Sequence, residues 1–215
     1  MKFKIFFISA VFAVMSCKQE TKISSEKSFK ISEKLSYTSE SGFFKFKSGK
    51  FSYSVDEKRL PFKRTIFLNA SLLGYISEIK AENSVIGVAS PEYIYSKDFN
   101  EKIKANSIVN IGNEQKYDLE KIIALKPDAV FTNYIASFEN TYQLLKNNGI
   151  EVFFLDEYTE QKPLEKTAYL KLFGKLFGNE ALAEKRFNEI SKEYQNLKNL
   201  ASKTKEKPEV LANEM

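Results

Sequence analysis

Residues 64–155 alternate short apolar runs with stretches in which apolar residues recur at helical spacing. The apolar runs are rich in Val, Ile and Phe, which is typical of strands buried on both faces of a sheet. Strands that alternate with helices predict a parallel sheet with right-handed crossovers, so the predicted fold class is α/β. The predicted strands are TIFL (65–68), SVIGVA (84–89), SIVNIG (107–112), AVFT (129–132) and EVFFLD (151–156).

Three helices are predicted between these strands, each with an apolar face that can pack on the sheet. Pro127 ends the second helix before a strand, and Gly149 follows the third, where a left-handed residue is favoured. The helices are one capped by Ser71 with Leu72, Ile76 and Ile79 inward, one from Asp118 with Leu119, Ile122 and Ile123 inward, and one over residues 138–148.

Two further helices follow the last strand. The first starts at Pro163, and the second begins near residue 179 and carries an apolar residue every three or four positions up to Ala201. Such a narrow stripe suits a long helix that lies along a surface or bridges two bodies. A charged linker then leads to VLA (210–212), which is typical of a strand that has only begun. We therefore expect a truncated product or fragment, with a C-terminal tail added to the first sheet as the alternative.

Two segments precede this lobe. Residues 18–36 are rich in Lys, Ser and Glu with few large apolar side chains, so they are predicted to be a tether. In FFKFKSGKFSYSV (43–55), large and polar residues alternate on both sides of Ser48 and Gly49, which predicts a β-hairpin at the edge of the fold. Lysines on its polar face would keep this hairpin soluble, and its pattern predicts no catalytic or binding role.

The first twenty residues have the order of a secretory signal. Lys2 and Lys4 precede an apolar run over residues 5–14 that is too short to span a bilayer. The next residues, VMSC, resemble a bacterial lipobox, whose cysteine is lipidated and becomes the mature N-terminus. Cys17 is the only cysteine in the chain, so it has no internal disulfide partner. An ordinary signal peptide with an incidental cysteine is the alternative.

Composition argues against several classes of function. The chain has no histidine, which removes the commonest metal ligand and the usual general base, so we predict no metal site, no catalytic residue and no cofactor. The formal net charge of +5 is mild, and the lysines are scattered among acids, which argues against a nucleic-acid partner. No glycine-rich phosphate loop follows a predicted strand. Asp156 with Glu157 is a weak candidate pair for a carboxylate hydrolase, which residue types alone leave open.

The chain resembles the substrate-binding proteins of ABC importers for ferric siderophores, haem and cobalamin, over about residues 64–212. The resemblance is strongest in NSVIGVAS (83–90), YDLEKIIALKPDAVF (117–131), LLKNNGIEVFFLDEY (144–158) and PLEKTAYLKLFGKLFGNEALAEKRFNEI (163–190). After the first strand the family commonly has Ser-Pro-Ser followed by Thr-Glu, whereas NASLLG (69–74) keeps only Ser71. In this family, two Rossmann-like lobes are joined by a long rigid helix.

The resemblance implies a domain organisation. The predicted parts are a signal peptide (1–16), a lipoprotein tether (17–36), a β-hairpin extension (37–62), an N-terminal Rossmann-like lobe (63–178), an interlobe helix (179–205), and a linker with the start of a missing second lobe (206–215). It also implies a monomer in the cell envelope, held by lipid on Cys17 with its globular part in the periplasm or at the outer face of the membrane.

The ligand is expected at the carboxyl ends of the parallel strands, in the crevice that would face a second lobe. Tyrosine offers a broad apolar face with a polar tip, which suits a large flat or chelated ligand, although we expect about half of the tyrosines to cover the sheet edge instead. The loops concerned are 69–71, 91–95, 113–117, 133–137 and 156–158, and the candidate ligand-binding residues are Asn69, Ser71, Tyr93, Tyr95, Tyr117, Tyr134 and Tyr158.

Glu120 is the candidate contact with the membrane permease. It lies in the first turn of the predicted Asp118 helix. In the resembling family an acid at this position pairs with arginines of the permease. A solvated acid in a first turn can dock a cation at little desolvation cost, while the alternative is that Glu120 only complements the helix dipole. A structural surface lipoprotein or a non-functional truncated binding protein is the alternative to an importer component.

Overall fold

A computed structural model describes residues 29–113 and 115–205. The strands are β1 (Phe29–Lys30), β2 (Leu35–Glu40), β3 (Phe43–Ser48), β4 (Phe51–Asp56), β5 (Thr65–Phe67), β6 (Val85–Val88), β7 (Val109–Asn110), β8 (Gly112–Asn113), β9 (Lys116–Tyr117), β10 (Ala129–Thr132) and β11 (Glu151–Phe154). The helices are α1 (Leu73–Glu78), α2 (Lys97–Lys104), α3 (Leu119–Leu125), α4 (Glu139–Asn147), α5 (Pro163–Thr167), α6 (Tyr169–Phe177) and α7 (Glu180–Ser202).

A parallel sheet in the order β11-β10-β5-β6-β7 forms the centre of the fold and confirms the predicted α/β class. Neighbouring residues of β10 face opposite sides of this sheet. Phe131 packs in the core that includes α1 and α6, and Val130 packs in the core that includes α3 and α4. Both residues are fully buried, which explains why the strand sequences are continuously apolar.

The predicted hairpin is part of a larger antiparallel sheet in the order β1-β2-β3-β4, here called the N-terminal sheet. The β3–β4 hairpin is confirmed, but the prediction that residues up to 36 form a tether is wrong for residues 29–30 and 35–36, which lie in strands. Leu35 is buried, and β2 pairs along the whole of β3, so this segment gains backbone bonds and apolar burial that its composition did not indicate.

Two local predictions need correction. The first helix is capped by Asn69 and not by Ser71, because the Asn69 Oδ1 atom accepts a hydrogen bond from the Ser71 backbone N–H at 2.8 Å. A short 3₁₀ turn, Ala70–Leu72, then leads into α1. The strand predicted over 107–112 is divided into β7 and β8 around the buried Ile111.

The long C-terminal helix is present as α7, and its first half packs on α6. Ala183 is fully buried against Gly174 of α6, while Leu197 and Leu200 near the other end are 65% and 66% exposed. None of the helices within residues 29–113 and 115–205 combines the length and the apolar character that crossing a bilayer requires. Cys17 and residues 210–212 lie outside the described residues.

Candidate functional site

The carboxyl ends of the parallel strands bring four of the predicted ligand loops into one row. The loops after β11, β10, β5 and β6 follow the strand order of the sheet, so they are neighbours along this edge. A row of this kind is where parallel α/β sheets bind ligands, because connecting helices cover both faces and leave the loop ends accessible. We call this row the carboxyl edge.

Hydrogen bonds between side chains join three of these loops. Asn69 Nδ2 donates to Asn133 Oδ1, and Asn133 Nδ2 in turn donates to Glu157 Oε2 at 3.0 Å and to the Leu155 carbonyl at 2.6 Å. The chain of bonds runs from the end of β5 through the end of β10 to the loop after β11. Asn69 was a predicted ligand-binding residue, whereas Asn133 was not predicted and Glu157 was considered only with Asp156 as a candidate acid pair. The two bonds of Asn133 to Asn69 and Glu157 span 64 and 24 positions, so they leave no local signal in the sequence.

Glu157 is a buried acid at this edge. The residue is only 4% exposed, and burial raises the pKa of its carboxyl group from 4.5 to about 7. The bond from Asn133 opposes that shift, because it favours the charged form. Burial also raises the pKa of Asp156, although a hydrogen bond from the Lys50 backbone lowers it. The two acids have different hydrogen-bond partners, and the negative charge of Asp156 adds to the rise in the pKa of Glu157.

Exposed tyrosines stand on two of the loops. Tyr93 and Tyr95 follow β6 and are 63% and 88% exposed, and Tyr158 follows β11 and is 54% exposed. Burial raises the pKa of Tyr158, so its hydroxyl stays a neutral donor at physiological pH. Ser71 is exposed at the end of β5. These four residues are therefore accessible to a ligand at the carboxyl edge.

The other two candidate tyrosines pack within the protein. Tyr117 is only 6% exposed, and its ring centroid lies 4.6 Å from that of Phe138, so most of its side chain packs in the core and its contact with a ligand stays a prediction. Tyr134 is partly buried against Phe51 and Phe154, with ring centroids 5.5 and 5.3 Å away. A hydrogen bond with Glu139 raises the pKa of Tyr134. Tyr134 thus connects the carboxyl edge to the N-terminal sheet.

The β3–β4 turn is bonded directly to the loop after β11. Ser48 is fully buried, and its Oγ accepts a hydrogen bond from the Asp156 backbone N–H at 2.8 Å. Gly49 has a φ of +56°, and a Cβ placed there would overlap the Asp156 carboxylate. A glycine is required at this position both by the left-handed backbone and by the close approach of the acid.

Replacing Gly49 with alanine is expected to lower the free energy of unfolding by about 2–4 kcal/mol, because left-handed strain and a steric clash add together. The matched control is Gly42→Ala in the β2–β3 turn. Gly42 has a φ of +81°, but no atom lies within 4 Å of the point that a Cβ would occupy, so it reports the backbone cost alone. Urea unfolding of both variants gives the difference, and equal losses would show that the Asp156 contact contributes nothing.

Glu120 lies on a different part of the surface. It is exposed in the first turn of α3, while Ile122 is fully buried and Leu119 and Ile123 pack against the core as predicted. Asp118 caps this helix by accepting from the Lys121 backbone N–H at 3.0 Å, and the Lys121 ammonium is also 3.0 Å from Asp118. Glu120 forms no ion pair with any residue in the described part of the chain, so its carboxylate can accept an external partner.

Within that same part of the chain, no group of three or more acidic, cysteine or histidine side chains is placed to hold a metal ion.

Residues 68–214 match the sequence profile of a family described as periplasmic binding protein. The chain belongs to the periplasmic binding protein family. The match begins at the end of β5 and covers every loop of the carboxyl edge. The long helix α7 also falls within the match, while strands β1 to β4 of the N-terminal sheet lie outside it.

The chain is also similar to individual known proteins. An uncharacterized lipoprotein of Methanocaldococcus jannaschii is 25% identical over 157 residues, which cover 70% of this chain and 37% of the relative. Among solved structures, the siderophore binding protein BauB bound to acinetobactin and ferric iron aligns with a TM-score of 0.61 at 17% identity, covering 76% of this chain and 56% of that one. The petrobactin-binding protein YclQ of Bacillus subtilis aligns with a TM-score of 0.58 at 16% identity, covering 75% and 54%.

The haem binding protein HutB of Vibrio cholerae is also similar to this periplasmic binding protein. It aligns with a TM-score of 0.53 at 16% identity, covering 67% of this chain and 51% of that one. At these identities the solved structures establish the fold. The chain spans about half the length of the solved structures it matches, and little more than a third of the lipoprotein.

Proposed function

We propose that this periplasmic binding protein is the substrate-binding component of an ABC importer, capturing a metal chelate and delivering it to the permease. The observation that carries the proposal is the row of exposed tyrosine and polar side chains at the carboxyl edge of a sheet belonging to this family. Solved structures of the same fold include proteins named for binding siderophores, haem and vitamin B12, and these define the ligand classes to test.

The proposed ligand contacts are chemically suited to a chelate. Tyr93, Tyr95 and Tyr158 present aromatic faces that can pack against flat or apolar ligand surface, and their hydroxyl groups can bond to oxygen atoms on the chelate rim. Ser71 adds a hydroxyl group beside Asn69, whose amide is held by Asn133. The bond between Asn69 and Asn133 holds the two loops in place in the free protein. The loops therefore lose less conformational entropy when a ligand binds.

A titration tests this function directly. The chain contains 11 tyrosines and no tryptophan, so quenching of tyrosine fluorescence reports binding without a label. A ferric siderophore, haem and cobalamin are added separately to the wild-type chain, with the metal-free siderophore and porphyrin as controls for absorption. We expect saturable quenching by at least one metallated ligand and a confirming heat of binding by calorimetry. Absence of binding for all three classes would overturn the proposal and favour a structural surface lipoprotein.

The proposed docking contact is Glu120. Replacing it with alanine is expected to leave ligand affinity within about threefold and to reduce uptake, because an exposed charge at a rim acts mainly on association with its partner. Glu101→Ala in α2 is the matched control, since Glu101 is also an exposed helical acid. Uptake of radiolabelled chelate by cells is measured for both variants. Normal transport by Glu120→Ala, or loss of its ligand binding, would contradict the assignment.

The proposed location is the cell envelope, with lipid on Cys17. Support comes from the lipobox-like VMSC and from the relative named as a lipoprotein. Two or more acyl chains give stable membrane binding where one is marginal, so Cys17→Ser is expected to move most of the protein from the membrane fraction to the soluble fraction. Fractionation and metabolic labelling with palmitate measure the change. A wild-type protein that is soluble and unlabelled would contradict lipidation.

A further inference from the structure

A groove of about 730 Å³ lies between the N-terminal sheet and the loop after β11. Its lining includes Lys30 and Lys34 from the β1–β2 region, Lys47 and Lys50 beside the β3–β4 turn, and Asp156 and Thr159 from the loop after β11. We call it the lysine groove. Most of its wall comes from residues that precede the family match at residue 68, so the family assignment says nothing about its use.

The groove carries an excess of positive charge. Four lysines line it, against the carboxylates of Glu33 and Asp156. None of these lysines lies within ion-pairing distance of an acid in residues 29–113 and 115–205, whereas the nearby Lys45 is paired with Glu40 at 2.8 Å. Burial raises the pKa of Asp156, while a hydrogen bond from the Lys50 backbone and the charges of Lys50 and Lys34 oppose that rise. The lysine ammonium groups are therefore available to an external anion.

Lys50 connects the lysine groove to the carboxyl edge. Its ammonium lies 4.9 Å from the ring centroid of Tyr134 and 5.2 Å from that of Phe51. Tyr134 follows β10 in the row of ligand loops, and Asp156 and Thr159 lie on either side of the exposed Tyr158 along the chain. The lysines therefore add a positively charged surface to the carboxyl edge, next to its aromatic and polar residues and at the end where β11 lies.

We infer that the lysine groove binds the anionic groups of the chelate, so that the substrate is a negatively charged ferric complex with catecholate or carboxylate donors. The inference rests on the proposed function and narrows its substrate class. Attraction between lysines and an anion across a partly enclosed surface favours association and discriminates against uncharged complexes of similar size. It also gives the N-terminal sheet a role, although its sequence pattern indicated none.

The test compares two iron complexes of different charge on the full chain. An anionic ferric tris-catecholate and an uncharged ferric tris-hydroxamate are titrated into the wild type and into a Lys34→Gln, Lys47→Gln, Lys50→Gln triple variant at low ionic strength. We expect the wild type to prefer the catecholate. The triple variant should lose about 10- to 100-fold in affinity for the catecholate and less than about 3-fold for the hydroxamate, since only the former interacts with the lost charges.

A charge-matched control removes three lysines elsewhere. Lys58, Lys63 and Lys126 are exposed; Lys63 directly precedes the β5 region and Lys126 precedes β10, so both lie toward the amino ends of the parallel strands. The corresponding triple glutamine variant should retain the preference for the catecholate. Circular dichroism and thermal unfolding verify that each variant is folded.

The outcomes separate the two proposals. Two results would overturn the proposed role of the lysine groove and leave the importer function in place. One is that the wild type binds both complexes with equal affinity, and the other is that the triple variant binds the catecholate as tightly as the wild type does. Equal binding of iron-free catechol or citrate would overturn it too, since the groove would then be a site for small anions. If neither complex binds the wild type, and haem and cobalamin also fail, the proposed function falls and the inference falls with it.

Discussion

Replacing Phe131 with alanine is expected to lower the free energy of unfolding by about 3–5 kcal/mol, which is typical of deleting a fully buried aromatic side chain. Phe131 is 0% exposed in the middle of β10. Truncation would leave a cavity bordered by five aromatic rings, and β10 and α6 cannot both move to fill it. Its ring centroid lies between 5.1 and 6.2 Å from those of Phe62, Phe67, Phe153, Phe173 and Phe177.

Urea unfolding followed by circular dichroism measures this change. Phe43→Ala is the matched control, because Phe43 is 44% exposed at the start of β3 and should lose less than about 1 kcal/mol. Phe131→Leu should lie between the two alanine variants, since it restores part of the buried volume. A Phe131→Ala variant as stable as Phe43→Ala would show that the aromatic cluster contributes little to the free energy of unfolding.

The core containing Phe131 could be predicted from sequence because its signals are local. The strands of residues 64–155 are continuous apolar runs, and the buried residues of α6, such as Leu172 and Leu176, recur at helical spacing. Periodicity of this kind depends only on residues close together in the sequence. It can therefore be recognised without knowing which helix or strand packs against the segment. The parallel order then follows from the alternation of strand and helix.

The N-terminal sheet was harder to predict, because its strands gain stability from distant partners. Leu35 is buried, yet the segment around it is polar, and the Ser32 side chain is bonded to Glu160, 128 positions away. Polar contacts across such separations leave no periodic signal. For the same reason Gly49 could be predicted only as a turn residue, although its position is also set by Asp156.

The candidate site was predicted at the level of loops and less well at the level of side chains. Parallel topology places the ends of β5, β6, β10 and β11 together, which a strand assignment is enough to show. Whether a tyrosine on such a loop is exposed depends on the packing of its neighbours. Tyr95 is exposed and Tyr117 is buried, although both follow a predicted strand. Glu157 was visible only as half of a weak acid pair, since its burial and its bond from Asn133 arise only in the folded chain.

The stability of this protein is expected to fall as pH rises from about 5 to about 8, through the deprotonation of Glu157. The pKa of its carboxyl group is 4.5 in its ordinary state and is raised to about 7 by burial in the folded chain. Between those two values the folded state binds more protons than the unfolded state, so the free energy of unfolding decreases with increasing pH. The stabilisation is fully present below the lower value and is lost above the higher one. At 1.36 kcal/mol per pH unit, the change amounts to about 3 kcal/mol.

Glu157→Gln removes the titrating group while keeping an oxygen that can accept the hydrogen bond from Asn133 Nδ2. The variant should match the wild type near pH 5, apart from a constant offset, and exceed it by about 3 kcal/mol near pH 8. Chemical denaturation at a series of pH values gives both curves, and their difference cancels the titration of all other groups. Glu101→Gln on α2 shows what the loss of one exposed carboxylate does to the same curve. A Glu157→Gln curve parallel to that of the wild type would show that Glu157 does not titrate in this range; a diverging curve would mean that burying the charged carboxylate at the carboxyl edge costs stability, a cost that the bond from Asn133 offsets only in part.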